Sequence, residues 1–309
     1  MRICLILIFI SIVSVHAEPN GPRQISEEGI RHSFAVFGQL TAKIDENSHK
    51  TEKFSGHSRD GYCFGGDQVV IAYTKKVVLK SGGGKEKTIY TLDPVNAEIG
   101  SVQPIENGKF LVSELGKKPR LLEIDSSGKI KIEVPIQPET ENYHMQTRMA
   151  RKLKNGNYLV PHLLAFASKE YSQDGKVVST FKSDLDSLGG KKARNWVFCN
   201  IRLENGNTLM SCTQGFKVIE VDSKGNVVWS VTNKDLGEEL IRDACGMQLL
   251  PNGNLVIASY GQRNKQGVKL FEVTRDKKVV WKYIDPEFSS VHHFQILTTN
   301  GKPVADVKK

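Results

Sequence analysis

Residues 203–212, LENGNTLMSC, run apolar, polar, Asn-Gly and apolar again. A two-residue hairpin turn that matches strand twist needs positive φ at both central positions, and Asn and Gly tolerate this best. The stretch therefore predicts two short antiparallel strands around a tight turn. Sister stretches stand at 105 (IENGKFLVSE), 153 (LKNGNYLVPH), 250 (LPNGNLVIAS) and 298 (TTNGKPVADV). Their turn glycines, Gly108, Gly156, Gly206, Gly253 and Gly301, follow one another at spacings of 48, 50, 47 and 48 residues. YCFGGDQVVIAY at 62 fits the same frame one step earlier. A period of this size predicts propeller blades or a comparable repeat array.

A second hairpin follows the first in each repeat. VIEVDSKGNVVWSV at 218, LFEVTRDKKVVWKY at 270, LLEIDSSGKIKIEV at 121 and KEYSQDGKVVSTF at 169 alternate apolar and polar on both sides of a turn. Period-2 alternation rich in Val and Ile is the strand signature, so each unit holds four strands. No long segment carries a helical stripe, which excludes helical repeat arrays. The ends complete the pattern. SFAVFGQLTAKIDENSHKTEKF (33–54) lacks a first strand, and VHHFQILTTNGKPV (291–304) supplies one with nothing after it. Joined, they make a sixth blade beside five continuous ones at about 57–91, 100–134, 144–181, 195–231 and 243–283. Such a ring has no open sheet edge at its seam. The expected fold is all-β: a six-bladed propeller of four-stranded blades over 31–305, closed by N-terminal strands pairing with the C-terminal strand.

MRICLILIFISIVSVHA opens the chain with Arg2, an apolar run from Ile3 to Val15 and a small-residue end. This reads as a secretory signal cleaved after Ala17, which places the protein in the periplasm or outside the cell. Residues 18–30 and 306–309 read as tails. The run is too short to span a bilayer comfortably, and no other segment would span one. The formal net charge is +9, but the bases are scattered and form no arginine-rich arm, so nucleic acid is not an expected partner. Cys63, Cys199, Cys212 and Cys245 show no C-x-x-C spacing, and buried free thiols are favoured over a single disulfide. SGGGK at 81–85 lacks phosphate-loop spacing.

The recurring NGN-x-L-V and E-V-D-x-x-G-x-V-V-W resemble the quinoprotein-like (PQQ-like) β-propeller superfamily, and LPNGN resembles the repeats of bacterial arylsulfotransferase propellers. HSRDGY (57–62), HMQTRMARKL (144–153), RDACGMQLLPNGN (242–254) and HHFQIL (292–297) resemble a family of uncharacterised secreted propellers common in planctomycete-type bacteria. The resemblance implies fold over nearly the whole mature chain. Propellers host many activities, so it does not imply one. PQQ is not expected: its dehydrogenases use a larger ring and an adjacent Cys pair.

In a propeller, the connections leading into each innermost strand share one face with the connections between second and third strands. This placement puts His57, Arg59, Asp60, His144, Arg148, Asn195, Arg242, Asp243, His292 and His293 around one mouth. Lys117, Lys118, Arg120, His162, Gln214 and Arg263 come from the other connections, and Trp196 stands at the rim or in the packing. Arg and His with few carboxylates suit an anion, since guanidinium matches carboxylate, sulfate or phosphate oxygens. The competing reading is structural, with Arg59-Asp60 and Arg242-Asp243 locking blades. His57, His144 and His292 or His293 come from different blades, and no local spacing supports a divalent metal. The expected function is a monomeric, non-enzymatic binding or scaffold module without a cofactor. Its partner would be an acidic or sulfated glycan, an organic acid or an envelope protein. The alternative is a lyase, hydrolase or sulfotransferase-like enzyme using the mouth His and Arg.

Overall fold

The computed structural model describes residues 20–309 apart from 83, 138 and 306. The expected signal segment and its cleavage point lie outside these residues. Six antiparallel sheets stand in a ring as propeller blades. Blade 1 holds Ser58–Phe64, Gln68–Tyr73, Lys76–Lys80 and Glu86–Thr91; blade 2 holds Asn96–Ile105, Lys109–Gly116, Arg120–Ile124 and Ile130–Pro135. Blade 3 holds Arg151–Lys152, Tyr158–His162, Ala167–Tyr171 and Val177–Lys182; blade 4 holds Val197–Arg202, Thr208–Cys212, Lys217–Val221 and Val227–Thr232. Blade 5 holds Ala244–Leu249, Leu255–Ser259, Val268–Val273 and Val279–Ile284. In blade 6, Val291–Thr299 pairs with His32–Gly38, and Thr41–Ile44 and Lys50–Phe54 follow outward.

The closing pairs Phe34↔Ile296, Val36↔Phe294 and Gly38↔Val291 join residues from opposite ends of the described chain in one sheet. The apolar alternation of each strand is buried between neighbouring sheets. Phe34, Val36 and Ala42 of blade 6 share a core with Leu270, Trp281 and Tyr283 of blade 5. Trp281 is fully buried, stacked on Tyr283 and edge-on to Phe34. Trp229, at the matching position of blade 4, instead lies half-buried under the Arg275 guanidinium, 4.3 Å from the ring centre.

The repeated sentence builds more than turns. The Asn after each Asn-Gly reaches a buried Glu on the third strand of its own blade: Asn157 to Glu170 (2.8 Å), Asn207 to Glu220 (2.7 Å) and Asn254 to Glu272 (2.6 Å). Lys109 takes that place beside Glu123 at 2.8 Å. The next blade supplies a second partner to the same carboxylate. Lys152 meets Glu123, Arg202 meets Glu170 (2.9 Å), Arg275 meets Glu220 (2.6 Å) and His32 meets Glu272 (2.8 Å). A buried carboxylate satisfied from two blades is a seam, because its ion pair is desolvated and removing either partner strands the other. Glutamines on innermost strands make further seams. Gln295 exchanges hydrogen bonds with the Cys63 backbone (2.9 and 3.0 Å), and Gln248 binds the Ile296 amide at 2.7 Å.

Two stretches expected as tails are structured. Arg23–Ile25 adds a fifth strand to the outer edge of blade 5, pairing with Lys282, Tyr283 and Ile284. At the other end, Lys302–Pro303, within the expected propeller, folds back on Val291–Thr299, and in the expected tail Lys308 bridges Leu249 and the Lys309 side chain enters the channel. The physical reason is unpaired edge: both additions cover backbone groups that a bare four-stranded blade leaves open. Among the described residues, Cys63, Cys199, Cys212 and Cys245 are free thiols. Among the described residues no helix is long and apolar enough to cross a membrane.

Candidate functional site

The channel is divided by a buried ionic plug. Asp60 is fully buried and accepts hydrogen bonds from the Gly61 amide (2.8 Å), the Val102 amide (3.2 Å) and the Arg151 guanidinium (2.9 Å). Arg151 also donates to the Lys309 carbonyl at 2.7 Å. The Lys309 ammonium donates to the Gly61 carbonyl at 2.6 Å and sits 3.7 Å from the Tyr62 ring centre. Burial pushes Lys309 down to about 7, against the Asp60 charge that raises it. His293 lies 3.6 Å from Asp60 and packs on Gly246, where a Cβ would stand 2.2 Å from its Nδ1. Burial holds the His293 imidazole well below its ordinary range, so it is neutral here. Asp60 and His293 are thus inside the ring, below the mouth.

Above the plug, on the face of the connections into the innermost strands, lies a cup of about 140 Å³. His144, Arg148, Trp196, Gln214, Asp243 and His292 contribute to its wall, with Phe198 and Tyr260 behind. Four of these are among the ten expected site residues. Arg148 is buried yet has only an incomplete counter-charge. It donates to the Thr147 carbonyl (2.7 Å) and the His144 carbonyl, lies 5.8 Å from the Phe198 ring centre, and stands 3.7 Å from Glu98. Burial lowers its pKa to about 10, which still leaves it charged at neutral pH.

Glu98 gathers the cations of the rim. It accepts from Arg59 at 2.6 Å and from His144 Nδ1 at 3.1 Å. Burial raises its pKa, but His144, Arg59 and Arg148 outweigh that and hold the carboxyl below its usual range. His292 is sandwiched between Tyr260 (4.4 Å) and Phe198 (6.2 Å). Burial first, then the charges of Arg59 and Arg148, push it down to about 3, so it is a neutral imidazole. Its Nδ1 is buried without a hydrogen-bond partner. Asp243 adopts a left-handed backbone (φ 51°), and burial raises its carboxyl despite a 2.6 Å bond from Gln214. Backbone strain and a raised carboxyl pKa at a cavity wall mark functional positions more often than structural ones.

The remaining expected residues lie elsewhere. His57 is exposed at the rim, near enough for its charge to act on His292. Arg242 is exposed and paired with Glu239. Asn195 is fully buried and donates to the Ser183 (2.9 Å) and Leu188 (3.2 Å) carbonyls, which organises a loop. His162 is buried between Glu139 (2.7 Å) and Tyr171 (3.0 Å), away from the cup. Four participants come from places the sequence reading passed over. Glu98 sits in LDPVNAEIGS, a connection without Arg or His, and its presence makes the mouth less cationic than expected. Tyr260, Arg151 and Lys309 complete the set. Among the described residues, no group of three His, Cys, Asp or Glu side chains stands close enough to hold a metal.

Fold and cup define the class: a six-bladed β-propeller with a mixed aromatic and cationic depression on one face. A protein of unknown function from Bacteroides caccae superposes with a TM-score of 0.76 at 19% identity, over 89% of this chain and all of that one (100%). A streptogramin B lyase superposes at 0.58 with 9% identity, covering 86% of this chain and 87% of that one. A catalytically inactive histidine-to-alanine variant of virginiamycin B lyase from Staphylococcus aureus, with quinupristin, superposes at 0.57 with 12% identity, covering 93% and 98%. At these identities the likeness is one of fold. No family model matches the chain, and no curated protein matches it.

Proposed function

We propose that this chain is a secreted binding propeller of the quinoprotein-like kind, and that its cup holds one small anionic unit of an acidic or sulfated glycan, or an organic acid. The observation that carries this reading is the pairing of two unsatisfied groups in one wall. Arg148 is a buried cation 3.7 Å from its nearest carboxylate, and His292 Nδ1 has no partner. An incoming oxyanion answers the first, and a hydroxyl on the same unit answers the second. Trp196 and Tyr260 give the apolar face of a sugar ring a surface to lie on. The volume limits the occupant: 140 Å³ is below the several hundred of a whole drug-sized ligand, so one terminal unit enters.

Titration calorimetry with glucuronate, galactose 6-sulfate and galactose tests this. The acidic sugars bind at least tenfold more tightly than galactose. Arg148→Gln and the rim variant Arg59→Gln weaken them by roughly 10–100-fold, as loss of a charge-assisted hydrogen bond of about 1.5–3 kcal/mol implies. Equal binding of galactose, or no change in either variant, contradicts the proposal.

One observation favours an enzymatic second reading. Glu98 holds His144 Nδ1 at 3.1 Å, which orients an exposed imidazole as a general base would be oriented. Lyases share this fold, and one of them is inactive when a histidine is replaced by alanine. Under this reading His144→Ala abolishes turnover of an acidic glycan while binding persists.

A further inference from the structure

On the opposite face, where the Asn-Gly hairpins of blades 3 and 4 turn, a second cavity of about 490 Å³ opens beneath the plug. The LKNGN and LENGN turns form its sides, and the Val307–Lys309 stretch forms part of its wall. Six cations line it: Arg151, Lys152, Lys154, Arg202, Lys308 and Lys309. Among the described residues only one side-chain carboxylate lines it, Glu204, and that one is held by Lys308 at 2.7 Å. The carboxylates that pair with Arg151, Lys152 and Arg202 are Asp60, Glu123 and Glu170. All three are buried and none lines the cavity. The charge balance of the seams is therefore kept behind the wall, and the cationic side faces the open space.

A second observation points to an occupant. Asn200 is fully buried and lines this cavity. Its amide donates to Ser168 Oγ at 2.7 Å, but its Oδ1 accepts nothing. A buried acceptor without a donor is expensive, and inorganic phosphate at neutral pH brings charge with few donors. A ligand that answers both the cations and Asn200 carries negative charge and hydroxyl groups together. The cavity's size falls within the range that encloses a small organic ligand.

We propose that this hairpin-face cavity is a second ligand site, distinct from the cup, for a small polyhydroxylated anion of the sugar-phosphate or sugar-acid class. Arg202 and Lys154 hold the anionic group, Arg151 adds its charge from the plug behind them while its donors stay on Asp60 and Lys309, and Asn200 accepts from a hydroxyl. The proposal does not depend on what the cup binds.

Calorimetry on the full chain with glucose 6-phosphate, inorganic phosphate and glucose tests it. Glucose 6-phosphate binds at least tenfold more tightly than inorganic phosphate, and glucose gives no measurable heat. Asn200→Asp keeps the side chain's shape but sets a carboxylate against the ligand, and it abolishes binding. Lys154→Gln, an exposed change without a fold role, weakens it about fivefold or more. Equal affinity for phosphate and glucose 6-phosphate, no binding of either, or unchanged binding in Lys154→Gln overturns the proposal.

Discussion

A chain ending at Ser290 will show no cooperative unfolding transition. The lost segment contains the innermost strand of blade 6, whose Val291, Phe294 and Ile296 are essentially inaccessible to solvent. Each such side chain contributes about 1.5–3 kcal/mol by burial. Three of them approach the whole net stability of a domain, about 5–15 kcal/mol. The shortened chain also bares His32–Gly38 as an apolar edge strand, with Phe34 and Val36 at an open ladder, which invites aggregation. Gln295 no longer staples Cys63, so the seam to blade 1 opens as well. Differential scanning calorimetry checks this. A sharp transition within a few degrees of the intact chain would show that the ring does not depend on this closure.

Asp60→Asn will lower the melting temperature by roughly 6–10 °C. The amide keeps the shape but only one of the two acceptor oxygens: Gly61 bonds Oδ1 while Val102 and Arg151 bond Oδ2, so one of these contacts is lost together with the charge. Arg151 and Lys309 then face each other in the plug without their shared anion. Breaking a buried pair by removing one partner costs about 3–5 kcal/mol, and a chain of this size loses about 2 °C per kcal/mol. Thermal melts of the two proteins at equal ionic strength decide it. A shift of less than about 2 °C would mean that the plug is neutral or open to water. The double change Asp60→Asn with Arg151→Leu removes both charges of the closest pair and recovers part of the loss.

The strands were legible because their information is local. Asn-Gly needs positive φ wherever it occurs, and Val/Ile alternation reports a half-buried strand whatever the sheet is packed on. Closure was legible for the same reason, since one end lacked a first strand and the other lacked the rest. The seam glutamates were visible as letters in EVD, SKEYS and FEVT. Their role was not, because it requires knowing which cation of the next blade stands opposite. Glu98 was missed because its connection held no Arg or His to draw notice. Tyr260 lies in the turn of another blade, and that it meets His292 is a matter of ring geometry alone. Arg151 and Lys309 are 158 positions apart and meet only at the axis. Arg148 and His292, by contrast, were picked for their chemistry, and the fold brings both to the cup.

The central claim is that His292 and Arg148 form an unsatisfied, charge-bearing wall that an anion completes. Nitrogen-detected histidine NMR tests it most directly. In the free protein the His292 ring stays neutral to about pH 4, since its pKa lies near 3 instead of the ordinary 6.5. Adding glucuronate at neutral pH moves the His292 and His144 ring signals in saturable fashion and leaves buried His162 still. A His292 that titrates near 6.5, or ring signals indifferent to glucuronate and galactose 6-sulfate alike, would contradict it.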